Sequence, residues 1–455
     1  MGLFDRKKPA ASARRRVVVL GIDGTPYTFI QRMVQEGRMP HLARVIAGGT
    51  LLRMNSVHPT VSSVAWSSFM TGKNPAKHGI FGFVDREPAA MKVFIPTSQA
   101  MKSPTLWEIL SAAGKRVIVI NVPVTYPPRP VNGILIADFL APKLEKAVYP
   151  PALAATLQSW GYRIDTDPWL GHESKDKLLE DVNLVFDRRV EAMFRLMEQE
   201  EWDYFHCHIM ETDRLFHFLW EEMETNDPVY APRFFAFIQK LDQLIGELTR
   251  RLDEHTDLLI MSDHGFCTLE KEVYVNHWLA EEGWLKFAVP APKSVADISG
   301  ETIAYSMDPG RIFINLRGRE RDGRVPPAEY EHWRERIIQG ALALRDPDTG
   351  RPLFRAALRR EEIYHGPLLP QAADIILVPH EGFDPKGSVN KGQLTYKGPA
   401  LVGMHTYDDA ALVIAGRRIA PARTPWVADV MPAILELMGV ANPGDLDGQS
   451  LLSLT

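Results

Sequence analysis

The 455-residue sequence predicts an α/β fold with three layers: a largely parallel central sheet with helices on both faces. Three observations predict it. Short runs rich in Val, Ile and Leu recur along the chain, and longer amphipathic stretches separate them. Several runs also end in Asp or His, at the strand ends where such sheets bind ligands.

The first run is RVVVLGID (16–23). KRVIVINVP (115–123), WDYFHCHI (202–209), TDLLIMSDHG (256–265), ADIILVPH (373–380) and AALVIAG (410–416) follow. Periodicity alone does not separate such runs from pieces of buried helix, but their length and β-branched content favour strands. Helices are expected at 27–48, 104–113, 174–199, 231–253, 328–344 and 426–438. The stretch 266–400 differs, with short mixed elements and the Pro- and Lys-rich piece PHEGFDPKGSVNKGQLTYKGP. It reads as an inserted cap subdomain on a core made of 16–265 and 401–455, after a basic flexible tail at 1–15.

Composition narrows the function. Hydrophobic residues are 45% and charged residues 24%, as in ordinary globular proteins, and the net charge of −5 argues against a nucleic-acid partner. Two cysteines, Cys207 and Cys267, make no disulfide scaffold. The N-terminus carries Arg6, Lys7, Lys8, Arg14, Arg15 and Arg16 but no apolar signal region, and no apolar run approaches 18 residues. A cytoplasmic protein without stable membrane insertion is the expectation; the sequence is silent on oligomeric state.

Five segments carry residues suited to chemistry. In SDHGF, Asp263 and His264 follow a strand and can turn into one crevice, although Asp and Gly also serve turns. In ETDRLFHFLW, Asp213 and His217 are spaced i, i+4, so a helical turn puts them on one side, able to grip a cation. The bland alternative is a histidine packed against Phe216 and Phe218. Asp23 sits at the tip of the first run, where it can also cap a helix, and His405 lies in GMHTYDD before the last run. Together these are three carboxylates and three imidazoles, enough for two divalent ions. A pair of ions about 4 Å apart can clamp the attacking and leaving oxygens of phosphoryl transfer. The segment HPTVSSVAWSSFMTG (58–72) supplies hydroxyls at an expected helix N-terminus, which favours a phosphate. Spacing alone does not choose among Thr60, Ser62 and Ser63.

These residues resemble the alkaline phosphatase superfamily, in its branch of type I phosphodiesterases and nucleotide pyrophosphatases. The bacterial and archaeal phosphohydrolase or phosphomutase group looks nearest. The resemblance runs from residue 16 onward through GIDG (21–24), SSVAWSSFMTGKNPAKHGIF (62–81), NVPVTYPP (121–128), TDRLFHF (212–218), SDHGF (262–266) and VADVMPAILELMGVANPGDLDGQSLL (427–452). It implies an alkaline-phosphatase-like fold, Ser62 as nucleophile and a covalent phospho-enzyme that water then hydrolyses. It implies that Asp213, His217 and His405 hold one ion. It implies that Asp23, Asp263 and His264 hold the other, with Ser62 bridging toward it. Zn²⁺ is the expected metal and Mn²⁺ the alternative.

The sequence departs from the nucleotide pyrophosphatases at two places. Ala65 stands where they carry a phosphate-contacting Asn, and Thr406 follows the last His where Gly is usual. Asn121 and Lys73 are candidate replacements for that contact, His78 reads as structural, and Tyr305, Asn315 and Arg317 are candidates to line a pocket. No Arg neighbours Ser62 in sequence, which suits a phosphodiester or pyrophosphate better than a dianionic monoester. VSSVAW does not fit a sulfatase. The expected partner is a small phosphate ester or nucleotide-like substrate. The alternatives are a phosphotransferase or phosphomutase on the same fold, and a non-catalytic binding protein that retains it.

Overall fold

The computed structural model describes residues 15–452; the basic tail at 1–14 lies outside them. Eight strands form the central sheet: β1 (Arg16–Ile22), β2 (Thr50–Met54), β3 (Val117–Ile120), β4 (Gly133–Ile136), β5 (Val148–Tyr149), β6 (Tyr204–Ile209), β7 (Thr256–Met261) and β8 (Ala410–Ile414). Their order is β2-β8-β7-β1-β6-β3-β4-β5. The five inner strands from β7 to β4 run parallel. β1, β3 and β6 are almost wholly buried, which is why they read as continuous apolar runs rather than alternating ones.

Three features add to or correct the sequence reading. The run 410–416 joins the sheet as β8 but antiparallel to β7. The chain enters it from a ribbon at 403–406, beside the C-terminal end of β7, and three intervening residues are too few for a parallel crossover. The run 373–380, within the stretch 266–400, lies outside the central sheet, and Ile375–Pro379 belongs to a separate four-stranded antiparallel sheet. The expected helix 27–48 is two helices, Tyr27–Gln35 and Pro40–Gly48. Gly37 adopts a positive φ of 70° between them and Pro40 starts the second.

Two hydrophobic cores are present. One surrounds the central sheet. The other lies mainly between Val273 and Phe383 but also takes in Ala76, Phe81 and Met91. The second core is thereby fastened to the segment that follows the candidate nucleophile, and Arg86 bonds Glu320 across the junction at 2.7 Å with both side chains buried. No helix among the described residues is long and apolar enough to cross a membrane.

Candidate active site

The site lies at the C-terminal ends of β1, β6 and β7, where open parallel sheets place ligands. Asp23 follows β1. Gly24 then turns the chain with φ 67° and its N–H donates to Asp263 Oδ1 at 3.2 Å, tying the ends of β1 and β7 together. The helix α1 (Ser62–Thr71) begins at Ser62 and is buried over the rest of its length. Its small polar residues are tolerated there because Ser67 and Thr71 donate back to the Ser63 and Ser67 carbonyls. The helix α2 (Glu211–Glu224) carries Asp213 and His217 on one side. Its first residue, Glu211, is gripped by the buried Arg189 at 2.7 Å, which fixes where the helix starts. His405 arrives on the ribbon strand Gly403–Thr406, paired antiparallel with Gly265–Thr268 so that His405 sits opposite Phe266. Gly403 is required there, since a Cβ would fall 2.3 Å from the Phe216 carbonyl oxygen.

Two groups of ligand-type atoms result. Asp213, His217 and His405 each offer one atom within 4.8 Å of the others, and so do Asp23, Asp213 and His264. In the first group, His405 Nε2 is 3.0 Å from His217 Nε2 and 3.1 Å from Asp213 Oδ1. The Nδ1–H of His217 donates to the Gly403 carbonyl at 3.1 Å and that of His405 to Thr60 at 3.3 Å. Both Nε2 atoms therefore turn lone pairs toward each other and toward a carboxylate. In the second group, His264 Nδ1–H donates to its neighbour's carbonyl at 3.0 Å. Its Nε2 faces Ser62 Oγ at 3.2 Å and Asp263 Oδ2 at 3.4 Å. Asp263 Oδ2 is buried without a hydrogen-bond partner. Facing lone pairs repel unless a cation lies between them, and imidazoles fixed by backbone carbonyls are the usual outer support of metal ligands. The residues thus fit divalent ions.

The same crowding shifts titrations. Burial opposes ionisation of Asp213, but His217 and His405 outweigh it and hold the carboxyl well below its usual range. Burial and the Asp23 charge push Asp263 well above it. Burial alone would lower His264, yet Asp263 and Asp23 lift it to about 10. Burial and then His264 push His405 down to about 4. His264 and His405 stack with ring centroids 3.7 Å apart, so a proton on one disfavours a proton on the other.

Of the three hydroxyls left open by spacing, Ser62 Oγ reaches the cluster, 3.1 Å from Asp23 Oδ1. Thr60 donates to the Val57 carbonyl instead, and Ser63 Oγ is buried in the protein. Lys73 pairs with Asp445, and Asn121 is engaged by Tyr162 and the Ile164 carbonyl, so neither side chain is free for the contact considered for it. His78 is buried against Ser68, as a structural residue would be. Tyr305 and Asn315 are buried in the cap core and Arg317 is exposed; none of them lines the cavity over the site.

Two supports escape a motif reading. Trp66 Nε1–H donates to Asp23 Oδ2 at 2.9 Å, and His208 Nε2 lies 3.0 Å from the same oxygen. Gly21 makes room for both rings, because a Cβ there would meet His208 at 2.7 Å and Trp66 at 2.9 Å. Only the alternation HCH within an apolar strand hinted at a polar layer beneath the site. Trp66→Phe should keep the packing, free Oδ2 to rotate, and weaken metal binding by roughly 10–100-fold, as measured by competition with a chromogenic chelator. Arg214 is the second surprise. Its guanidinium lies 3.6 Å from the Asp213 carboxylate and 2.6 Å from Asp165, so two carboxylates already match its charge.

The chain resembles proteins of known activity over nearly its whole length. The family described as type I phosphodiesterase/nucleotide pyrophosphatase matches residues 17–408. Phosphonoacetate hydrolase from Sinorhizobium meliloti 1021, solved with phosphonoacetate, superposes with a TM-score of 0.64 at 17% identity, covering 94% of this chain and 96% of that one. Human ectonucleotide pyrophosphatase/phosphodiesterase 5 gives 0.56 at 15%, covering 97% and 99%. An inactive form of the murine protein in complex with AMP gives 0.57 at 14%, covering 94% and 96%. At these identities the structures speak for the shared fold, while the family match extends over most of the chain. The protein is a phosphoric ester hydrolase belonging to the type I phosphodiesterase/nucleotide pyrophosphatase family.

Proposed function

We propose that this hydrolase cleaves phosphodiester or pyrophosphate bonds through a covalent phospho-Ser62 intermediate at a site for two divalent ions, Zn²⁺ before Mn²⁺. The observation that carries the reading is the position of Ser62 Oγ, at the first turn of α1 and within 3.2 Å of both Asp23 and His264. Asp213, His217 and His405 would hold one ion; Asp23, Asp263 and His264 would hold the other. When bound, such ions lower the pKa of a coordinated hydroxyl and draw charge from phosphoryl oxygens.

The chain's own residues do the rest. The free N–H groups at the start of α1 attract a phosphoryl oxygen and orient phosphorus toward Ser62. Ser62 Oγ forms the new P–O bond, the bond to the leaving alcohol or phosphate breaks, and that group departs with a proton. Water then attacks phosphorus, and Ser62 leaves as the hydroxyl. Arg214, already matched by Asp165 and Asp213, supplies no free guanidinium for a dianionic monoester, which supports the diester preference.

Metal analysis together with steady-state kinetics tests this. About two ions per chain are expected, with kcat/KM on bis-p-nitrophenyl phosphate above that on p-nitrophenyl phosphate. A protein that holds no metal and gains no activity with Zn²⁺ or Mn²⁺ would overturn the reading. Preference for the monoester would overturn its diester part.

A further inference from the structure

A cavity of about 330 Å³ opens from the ligand cluster toward the cap. That size is within the range of roughly 300–1,000 Å³ typical of small-molecule sites. His217 and His405 belong to its lining, so an occupant lies beside the reacting phosphorus. Val61, Phe83, Pro309, Leu377, Pro379 and Met404 give it apolar walls. His58 and Tyr407 add a flat surface, their rings stacked 4.1 Å apart at 7°.

The charges of the lining are unbalanced toward the negative. Its cations are Arg355 and Lys386. Arg355 faces Asp408 at 3.5 Å and Lys386 pairs with Asp384. Asp308 and Glu381 add two further carboxylates. His58 offers no compensating charge at neutral pH, because burial and the nearby Arg355 lower it to about 4. Away from the ligand cluster, a second anionic group entering here would meet four carboxylates and no unmatched Lys or Arg side chain, whereas an apolar ring would displace water from apolar walls.

We propose that this cavity receives one organic substituent of the phosphate ester, and that this substituent is aromatic or apolar and carries no negative charge. The inference rests on the hydrolase reading of the adjoining cluster and adds the substrate class. It separates this chain from a carboxylated phosphonate such as the one bound in the Sinorhizobium protein.

The test uses the metal-loaded full chain and two diesters that release the same chromophore, p-nitrophenyl phenyl phosphate and p-nitrophenyl 4-carboxyphenyl phosphate. The phenyl ester should have the higher kcat/KM, by roughly 10–200-fold. Asp384→Asn and Asp408→Asn each remove one of the four carboxylates and should narrow that ratio by about tenfold, the effect of about 1.4 kcal/mol. Thermal melting shows whether each variant is folded, and the wild-type ratio stands without them. Turnover of both esters with a ratio within about twofold, or a preference for the carboxylated ester, overturns this inference and leaves the hydrolase reading intact. No turnover of any ester by the metal-loaded protein overturns both.

Discussion

Replacing Ser62 with Ala is expected to lower kcat on bis-p-nitrophenyl phosphate by on the order of 10⁴–10⁶ while both ions stay bound. The size of the loss follows from the geometry. Ser62 Oγ is the hydroxyl directed at Asp23 and His264, and neither Thr60 nor Ser63 reaches that position. Retention of metal is expected because, in the proposed ligand set, Asp23, Asp263 and His264 remain when Ser62 is lost. Ser62→Thr keeps a hydroxyl at the same turn of α1 and should retain measurable turnover. Three measurements separate the outcomes: kcat, metal content, and mass spectrometry of acid-quenched wild-type enzyme for a phosphorylated peptide containing Ser62. If Ser62→Ala stays within about tenfold of wild type, far from the loss a removed nucleophile brings, water attacks phosphorus directly and the covalent route is wrong.

What the sequence made legible was chiefly what strands advertise. β1 and β3 are almost wholly buried and appear as unbroken apolar runs, β6 is buried and broken only by His206 and His208, and β7 is buried from Leu258 onward. The edge strand β2 is mostly half-exposed, and β4 opens on a glycine and spans four residues; neither carries that signal. The direction of β8 was not legible either, since a run of Ala, Leu, Val and Ile reads the same parallel or antiparallel. At the site, Asp213 and His217 were paired by helical spacing, and Asp263 and His264 by adjacency. His405 is joined to them only by the ribbon with 265–268, a contact nearly 140 positions long that no local pattern reveals. Trp66 and His208 were hidden for a different reason. Each reads as an ordinary core residue, and their bearing on Asp23 appears only once Gly21 brings β1 close to both rings. The cavity lining was misplaced because Tyr305 and Asn315 look like exposed polar candidates, whereas the cap buries them and turns Leu377, Pro379 and Lys386 toward the site.

Asp263→Asn is expected to raise the stability of the metal-free protein and lower that of the metal-loaded one. Without metal, the wild type holds Asp23, Asp213 and Asp263 buried together, and Asp263 Oδ2 has no hydrogen-bond partner. An amide of the same shape removes one of these charges. Its oxygen still accepts the Gly24 N–H, and loss of the Asp263 charge, the main one that raises His264, favours release of the Nε2 proton so that this nitrogen, 3.4 Å from the present oxygen, can accept from the amide Nδ2–H. Relief of an unsatisfied buried group is worth about 1–3 kcal/mol, so the variant should melt above wild type in EDTA. With metal the sign reverses. Binding to the folded state adds about 2.7 kcal/mol when free ion is at 100 times Kd, and the variant, short of one anionic ligand, loses most of that gain together with its turnover. Calorimetry of both proteins with EDTA and with Zn²⁺ gives the four melting temperatures needed. If Asp263→Asn melts below wild type in EDTA as well, the carboxylate stabilises the metal-free fold. If the variant keeps the full Zn²⁺-dependent rise in melting temperature, Asp263 leaves the proposed ligand set. If the order crosses between the two conditions, the buried charge is destabilising in the empty fold and is offset only by the ion it binds, which is the stability cost expected of a residue kept for function.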